Sequence, residues 1–161
     1  MDSLEIKGGT PLHGEVEISG AKNAVLPILA ATLLTREPCV IHRVPDLEDV
    51  RTMCLILESL GATTKIEKDV VTVQAAKVGE FADYDLVRKM RGSICVLGPL
   101  LARMKKATVS MPGGCLIGTR PVDLHRKAMS ALGAKVAVTG GYITARARKL
   151  VGGEMFLGGR S

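Results

Sequence analysis

The chain has 161 residues, 47% of them apolar and 24% charged, with a formal net charge of +6. That is enough apolar side chain for a real core and excludes a disordered polymer. Aromatic residues are 2% of the chain, Phe81, Tyr84, Tyr142 and Phe156, so the core must be aliphatic, and single-stranded nucleic acid, which needs stacking platforms, is argued against.

In chain order, MDSLEIKGG is charged and lacks the apolar core of an export signal. LEIKG (4–8) and EVEIS (15–19) alternate and are predicted as short strands. GAKNAVLPILAATLLT (20–35) is predicted as a mostly apolar, buried helix. Its run 24–34 is the longest apolar stretch, too short to span a bilayer and interrupted by Pro27. CVIHRV (39–44) is predicted as a strand. PDLEDVRTMCLILESLG (45–61) is predicted as an amphipathic helix with Leu47, Val50, Cys54 and Leu57 on one face and Gly61 as its stop. TTKIEK and VVTVQA then form a predicted hairpin. The four cysteines make no C-x-x-C pair. Reduced thiols in a cytoplasm, with no membrane and no metal, are the expectation.

The pattern then repeats. LGA at 60–62 recurs at 132–134, an offset of 72, and in the same register Gly20 meets Gly92, Pro27 meets Pro99, and VVTVQA lies over YITARA. The middle needs compensating gaps around residues 105–121. Each unit is predicted to run helix, strand, helix, strand, strand. Pro27 and Pro99 would leave the carbonyls of Asn23 and Cys95 without a helical donor. Each therefore either loosens a first turn whose amides suit an anion or simply occupies a first turn where proline is tolerated.

Three places could do chemistry. In SGAKNA (19–24), Lys22 and Asn23 start a helix, where a lysine opposes the helix dipole unless an anion is bound. The spacing is not that of a P-loop. KMRGS (89–93) puts Arg91 at the corresponding place in the second unit, although a lone arginine is more often surface. In MPGGCLIGTRPVDLH (111–125), glycines surround Cys115, Arg120 follows, and Thr119 and Pro121 lead into a helix whose predicted buried face is Leu124, Ala128, Ala131 and Leu132. A helix N-terminus and an arginine both favour thiolate. Taken alone, Cys115 reads equally as reactive or as structural. A dyad with His125 places the histidine more than a turn beyond the loop. The positive charge suits an anionic partner, although no long cationic run exists and the cations read also as solvated surface. A small phosphorylated ligand is expected rather than a polyanion.

SGAKNAVLPILAA, VRKMRGSICVLGPLLAR and MPGGCLIGTRPVDLH, in this order, resemble the UDP-N-acetylglucosamine 1-carboxyvinyltransferases (enolpyruvyl transferases) over essentially the whole chain. The cysteine loop distinguishes them from the sister shikimate-pathway enzymes. The resemblance implies an α/β (α+β) fold, an inside-out α/β barrel of repeated βαβαββ units, here truncated to about two. Residues 1–21 would be strands of a second, mostly missing domain. Residues 22–161 would be an incomplete first domain with repeats at about 20–90 and 91–161.

It implies transfer of the enolpyruvyl group of phosphoenolpyruvate to the 3-hydroxyl of UDP-N-acetylglucosamine, with release of phosphate. This is the first committed step of peptidoglycan synthesis in the bacterial cytoplasm, and so bears on cell-wall biogenesis, shape and division. Cys115 would be the proton donor, the site of a covalent adduct and the group fosfomycin alkylates. Lys22, Asn23 and Arg120 would bind phosphoenolpyruvate. Arg91, Arg120, Pro121, Val122, Asp123, Leu124 and Ser161 would contact the UDP-sugar. No cofactor or metal is implied. Cys95 stands where some members carry an aromatic near the uracil. The family's catalytic aspartate and a further arginine lie in a portion beyond this chain, so the 161 residues alone are expected to be poorly active or inactive. The competing expectations are a non-catalytic UDP-sugar-binding module, a shikimate-phosphate transferase, and, weakest, a cysteine hydrolase.

Overall fold

The computed structural model describes residues 3–113, 122–156 and 158. The first helix, α1 (Lys22–Ala31), buries Val25, Leu26, Leu29 and Ala30 and passes into a 3-10 turn over Thr32–Leu34. Pro27 lies inside it. The amides of Ala24 and Val25 both donate to the carbonyl of Ala21, 3.0 Å each, closing the turn that precedes the proline. Strand β1 (Cys39–Ile41) is shorter than the six residues predicted. Helix α2 (Glu48–Ser59) follows, with Glu48 and Asp49 in its first turn, where acidic side chains suit the dipole. Val50, Cys54 and Leu57 are buried as predicted. Leu47 is instead the N-cap, half-exposed, because its extended backbone precedes the helical face. Gly61 ends the helix with φ +98°, the left-handed conformation that suits glycine.

Strands β2 (Thr63–Glu67) and β3 (Val70–Gln74) form the predicted hairpin, and β1 pairs with the far side of β3, giving the order β1-β3-β2, antiparallel throughout. The second unit repeats this. A short helix α3 (Tyr84–Val87) leads into a 3-10 segment, Arg91–Val96, and helix α4 (Leu97–Met104). Strand β4 (Lys106–Ser110), helix α5 (Asp123–Ala131) and the hairpin β5 (Lys135–Thr139) and β6 (Tyr142–Arg146) complete a sheet of order β4-β6-β5. Gly140 and Gly141, both at positive φ, make its two-residue turn. The segment 80–82 lies along the free edge of β4, with Phe81 bridging Thr108 in parallel, a vestigial first strand of the second unit.

The repeat is confirmed bond for bond. The Gly79 amide donates to Leu60 and the Val151 amide to Leu132, both pairs shifted by 72, and Gly133 matches Gly61 at φ +91°. Ladder pairing also locates the gaps. Val73 and Ala145 are 72 apart, whereas their partners Cys39 and Ala107 are 68 apart. The second unit drops four residues before its first strand and regains them in the loop that holds Cys115. Pro99 sits in the first turn of α4, where it is tolerated, and the residues before it wind as the 3-10 segment. The two prolines are therefore not equivalent.

One aliphatic cluster spans both units, with Leu29, Leu33, Met53, Ile56, Leu57, Leu97, Leu100 and Leu101 fully buried. Each such side chain contributes about 1.5–3 kcal/mol. Arg103 stitches the units together: its Nη1 donates to Leu33 O (2.8 Å) and Thr35 O (2.9 Å), and its Nη2 to Ala76 O (2.9 Å).

Two expectations are corrected. Residues 3–20 contain no strand, and Leu4, Ile6, Val16 and Ile18 are exposed. A strand needs a hydrogen-bonded neighbour, and among the described residues none runs beside LEIKG or EVEIS. Helix α5 has no buried residue: Leu124 and Ala131 are exposed, and Ala128 and Leu132 are half-buried. The helix lies against β5 and is not covered on its outer side.

Candidate functional site

The N-termini of α1 and α2 converge with the 3-10 segment of the second unit. They line a cleft of about 470 Å³ with Lys22, Asn23, Asp49, Lys89, Arg91 and His125 as its polar groups, and Leu26, Pro27, Ile94 and Cys95 among its walls. Close backbone approach builds it. A Cβ on Gly92 would stand 2.9 Å from Leu26 Cδ1. Ser93, fully buried, shares its single hydroxyl proton between the carbonyls of Val87 (2.8 Å) and Met90 (2.7 Å) and fixes the turn that presents Arg91.

Lys22 is the first residue of α1, as predicted, and its Nζ lies 2.7 Å from Asp49 Oδ2. Asp49 is thus the anion that answers the cation at this helix start. Lys22 is about half-exposed at 46% and Asp49 is 35% exposed, so the pair is worth little and an incoming anion can compete for it. His125, third residue of α5, turns toward the same cleft. Burial first, and the Arg91 guanidinium second, push its pKa below the ordinary 6.5. Its ring is therefore neutral near pH 7, with a buried Nδ1 that has no hydrogen-bond partner among the described residues. Burial likewise raises the Cys95 thiol. A site with two lysines and an arginine can hold a multiply charged anion, and its neutral imidazole can accept a proton or a hydrogen bond there.

Of the residues predicted from sequence, Lys22, Asn23 and Arg91 come together here. Val122 is the buried N-cap of α5. Asp123 and Leu124 do not line this cleft; they border a shallow depression with Arg126 and Lys127. Cys115, Arg120, Pro121 and Ser161 lie outside the described residues. Of the residues that flank 114–121, Gly113 packs against Arg88. A Cβ on Gly113 would meet the Arg88 carbonyl oxygen at 2.0 Å, one residue ahead of cleft-lining Lys89, and Val122 precedes His125 by three. The sequence reading missed Asp49 and Lys89 as cleft residues. Asp49 was visible as an acidic first-turn residue, but only the packing of α1 on α2 sets it opposite Lys22. Among the described residues there is no cluster able to hold a metal ion, and no helix is long and apolar enough to cross a membrane.

Comparison with known proteins gives a consistent answer. The family described as EPSP synthase (3-phosphoshikimate 1-carboxyvinyltransferase) matches residues 6–157. The chain is 53% identical over 160 residues to the UDP-N-acetylglucosamine 1-carboxyvinyltransferase of Methylacidiphilum infernorum (isolate V4). It is 55% identical over 159 residues to that of Helicobacter pylori (strain ATCC 700392 / 26695). These matches cover 99% and 98% of the chain but 38% of each relative, so the chain spans well under half their length. Among solved structures, the enolpyruvyl transferase NikO from Streptomyces tendae superposes with a TM-score of 0.74 at 25% identity, over 89% of this chain and 32% of that one. EPSP synthase from Acinetobacter baumannii superposes with a TM-score of 0.63 at 14% identity, over 89% and 34% respectively, a likeness of fold.

Proposed function

Because the chain belongs to the EPSP synthase family of 1-carboxyvinyl (enolpyruvyl) transferases, we propose that it is the N-terminal portion of a UDP-N-acetylglucosamine 1-carboxyvinyltransferase. The observation that carries this reading is the identity of 53% and 55%, over nearly the whole chain, to curated relatives of that name. The reaction moves the enolpyruvyl group of phosphoenolpyruvate to the 3-hydroxyl of UDP-N-acetylglucosamine and releases phosphate. In this reading it serves peptidoglycan synthesis in the cytoplasm.

The chemistry uses the cleft as follows. Phosphoenolpyruvate brings a carboxylate and a phosphate, so Lys22 and Arg120 supply fixed positive charge, with Asn23 as a neutral donor. Lys22 exchanges Asp49 for the substrate anion. Cys115 gives its proton to the methylene carbon of phosphoenolpyruvate as general acid. The sugar oxygen bonds to the adjacent carbon and yields its own proton to a carboxylate from the rest of the enzyme. The carbon–oxygen bond to phosphate then breaks as the Cys115 thiolate takes a proton from the new methyl group and the double bond returns. The same thiol, as thiolate, is the nucleophile that would attack phosphoenolpyruvate or fosfomycin. Arg91, Arg120, Pro121, Val122, Asp123, Leu124 and Ser161 are assigned to the UDP-sugar. Residues 1–21 are assigned to the second domain and 22–161 to two repeats of the first, which agrees with an unpaired segment 3–20. Cys95 in the cleft wall offers the uracil no stacking ring.

Mass spectrometry after fosfomycin exposure, with and without UDP-N-acetylglucosamine, tests the site. Sugar-dependent alkylation of Cys115, sparing Cys39, Cys54 and Cys95, is the expected result; labelling spread over all four thiols, or none, contradicts it. A second reading, a UDP-sugar-binding portion without turnover of its own, is favoured by the 38% coverage of the relatives. Calorimetry that shows sugar binding without phosphate release from the 161 residues selects it.

A further inference from the structure

At the far end of the second sheet, three cations stand side by side on adjacent strands. Lys106 is the ladder partner of Arg146, and Arg146 is the partner of Lys135. Directly opposed residues point to the same face, so this is a row of three like charges that repel one another. Lys105, Arg148 and Lys149 crowd the same end, and together these six border a hollow of about 760 Å³. Among the described residues a single carboxylate, Glu80, answers them, through Lys106. The hollow shares no lining residue with the Lys22 cleft.

The first sheet supplies an internal control. At the positions equivalent to Arg146 and Lys135 it carries Gln74 and Thr63, paired in the same register. The residue equivalent to Lys106 is Pro38. The fold is therefore built equally well with neutral residues at all three places, and the cations answer to something other than folding.

We propose that this end of the second sheet is a second anion site that binds a small molecule through a chain of linked phosphates. Strands lie about 4.8 Å apart, so the row extends about 10 Å, a span suited to a di- or triphosphate rather than to a single phosphate. Arg146 and Arg148 provide planar forks for two phosphate oxygens at once, and the lysines provide point charges. The aromatic residues of this face, Phe81, Tyr84 and Tyr142, gather at its opposite end, where Tyr142 pairs with Ser110 and Thr139. The cationic end thus has no platform for a base, which selects the phosphate chain over single-stranded nucleic acid.

Titration calorimetry with inorganic tripolyphosphate at low salt is the test. The native protein should bind one equivalent here at micromolar concentration, and orthophosphate should bind far more weakly. The double variant Arg146→Gln, Lys135→Thr, which installs the first sheet's own exposed residues, should lose at least about tenfold in affinity. Lys22→Gln should leave this binding in place. Tripolyphosphate should also raise the melting temperature of the native protein by clearly more than that of the double variant. The proposal is overturned if the native protein fails to bind at millimolar tripolyphosphate, if the double variant binds or is stabilised equally, or if Lys22→Gln abolishes the binding.

Discussion

Replacing Arg103 by methionine keeps much of the side chain's apolar stem and removes its three donors. Those donors bind the carbonyls of Leu33, Thr35 and Ala76, all in the first unit, while Arg103 itself lies in the last turn of α4 of the second. A hydrogen bond from a charged donor is worth about 1.5–3 kcal/mol when partly buried. The two bonds from Nη1 are part-buried and the one from Nη2 is exposed, so the third adds little. The loss should be about 3 kcal/mol. With a urea slope of about 2 kcal/mol/M for a domain of this size, the unfolding midpoint should fall by about 1.5 M. Arg103→Lys, a single ammonium that cannot span three carbonyls, should recover less than half. Urea unfolding followed by circular dichroism reads both. A fall below about 1 kcal/mol for methionine, or full recovery by lysine, would refute the view that this guanidinium ties the two units together.

Other consequences are equally open to measurement. His125, held below 6.5 by burial and by Arg91, is protonated more readily in the unfolded chain. Its contribution to stability is therefore complete above pH 6.5 and is lost as pH falls through its lowered folded value. The urea midpoint should drop on acidification through this window, and His125→Gln should flatten the drop; an unchanged slope contradicts the assignment. Gly113→Ala sets a Cβ 2.0 Å from the Arg88 carbonyl oxygen, whereas Gly92→Ala meets the end of the Leu26 side chain at 2.9 Å rather than backbone. The first should cost about 3 kcal/mol and the second about 1 kcal/mol, and equal melting temperatures for the two variants would contradict the difference. Cys54, pushed up to about 11 by burial and then by Glu58, should resist iodoacetamide at pH 8 in the folded protein, and its modification at the rate seen in urea would overturn that.

Much of the fold was legible because its signals are local. The 3.6-residue spacing of Val50, Cys54 and Leu57, the glycine stop at 61, and the alternation of VVTVQA need no tertiary context. The repeat was legible because the same contacts recur at the same offset. What was not legible depended on partners. LEIKG and EVEIS alternate like strands, but alternation records a face and not a neighbour, and no strand lies beside them. Leu124 looked like a core residue by spacing, yet α5 is covered on one side only. In the site, Lys22 was visible as a cation that offends a helix dipole. Its answer, Asp49, comes from another helix and became visible only when α1 packed on α2.

The assignment of Cys115 as the acid of an enolpyruvyl transfer is tested most directly by phosphate release from phosphoenolpyruvate in the presence of UDP-N-acetylglucosamine. The enzyme measured should be a full-length one carrying this chain as its N-terminal portion, with Cys115 intact or changed to serine. The account predicts sugar-dependent release that collapses in Cys115→Ser at neutral and alkaline pH. Equal rates for the two proteins, or release that ignores the sugar, would contradict it.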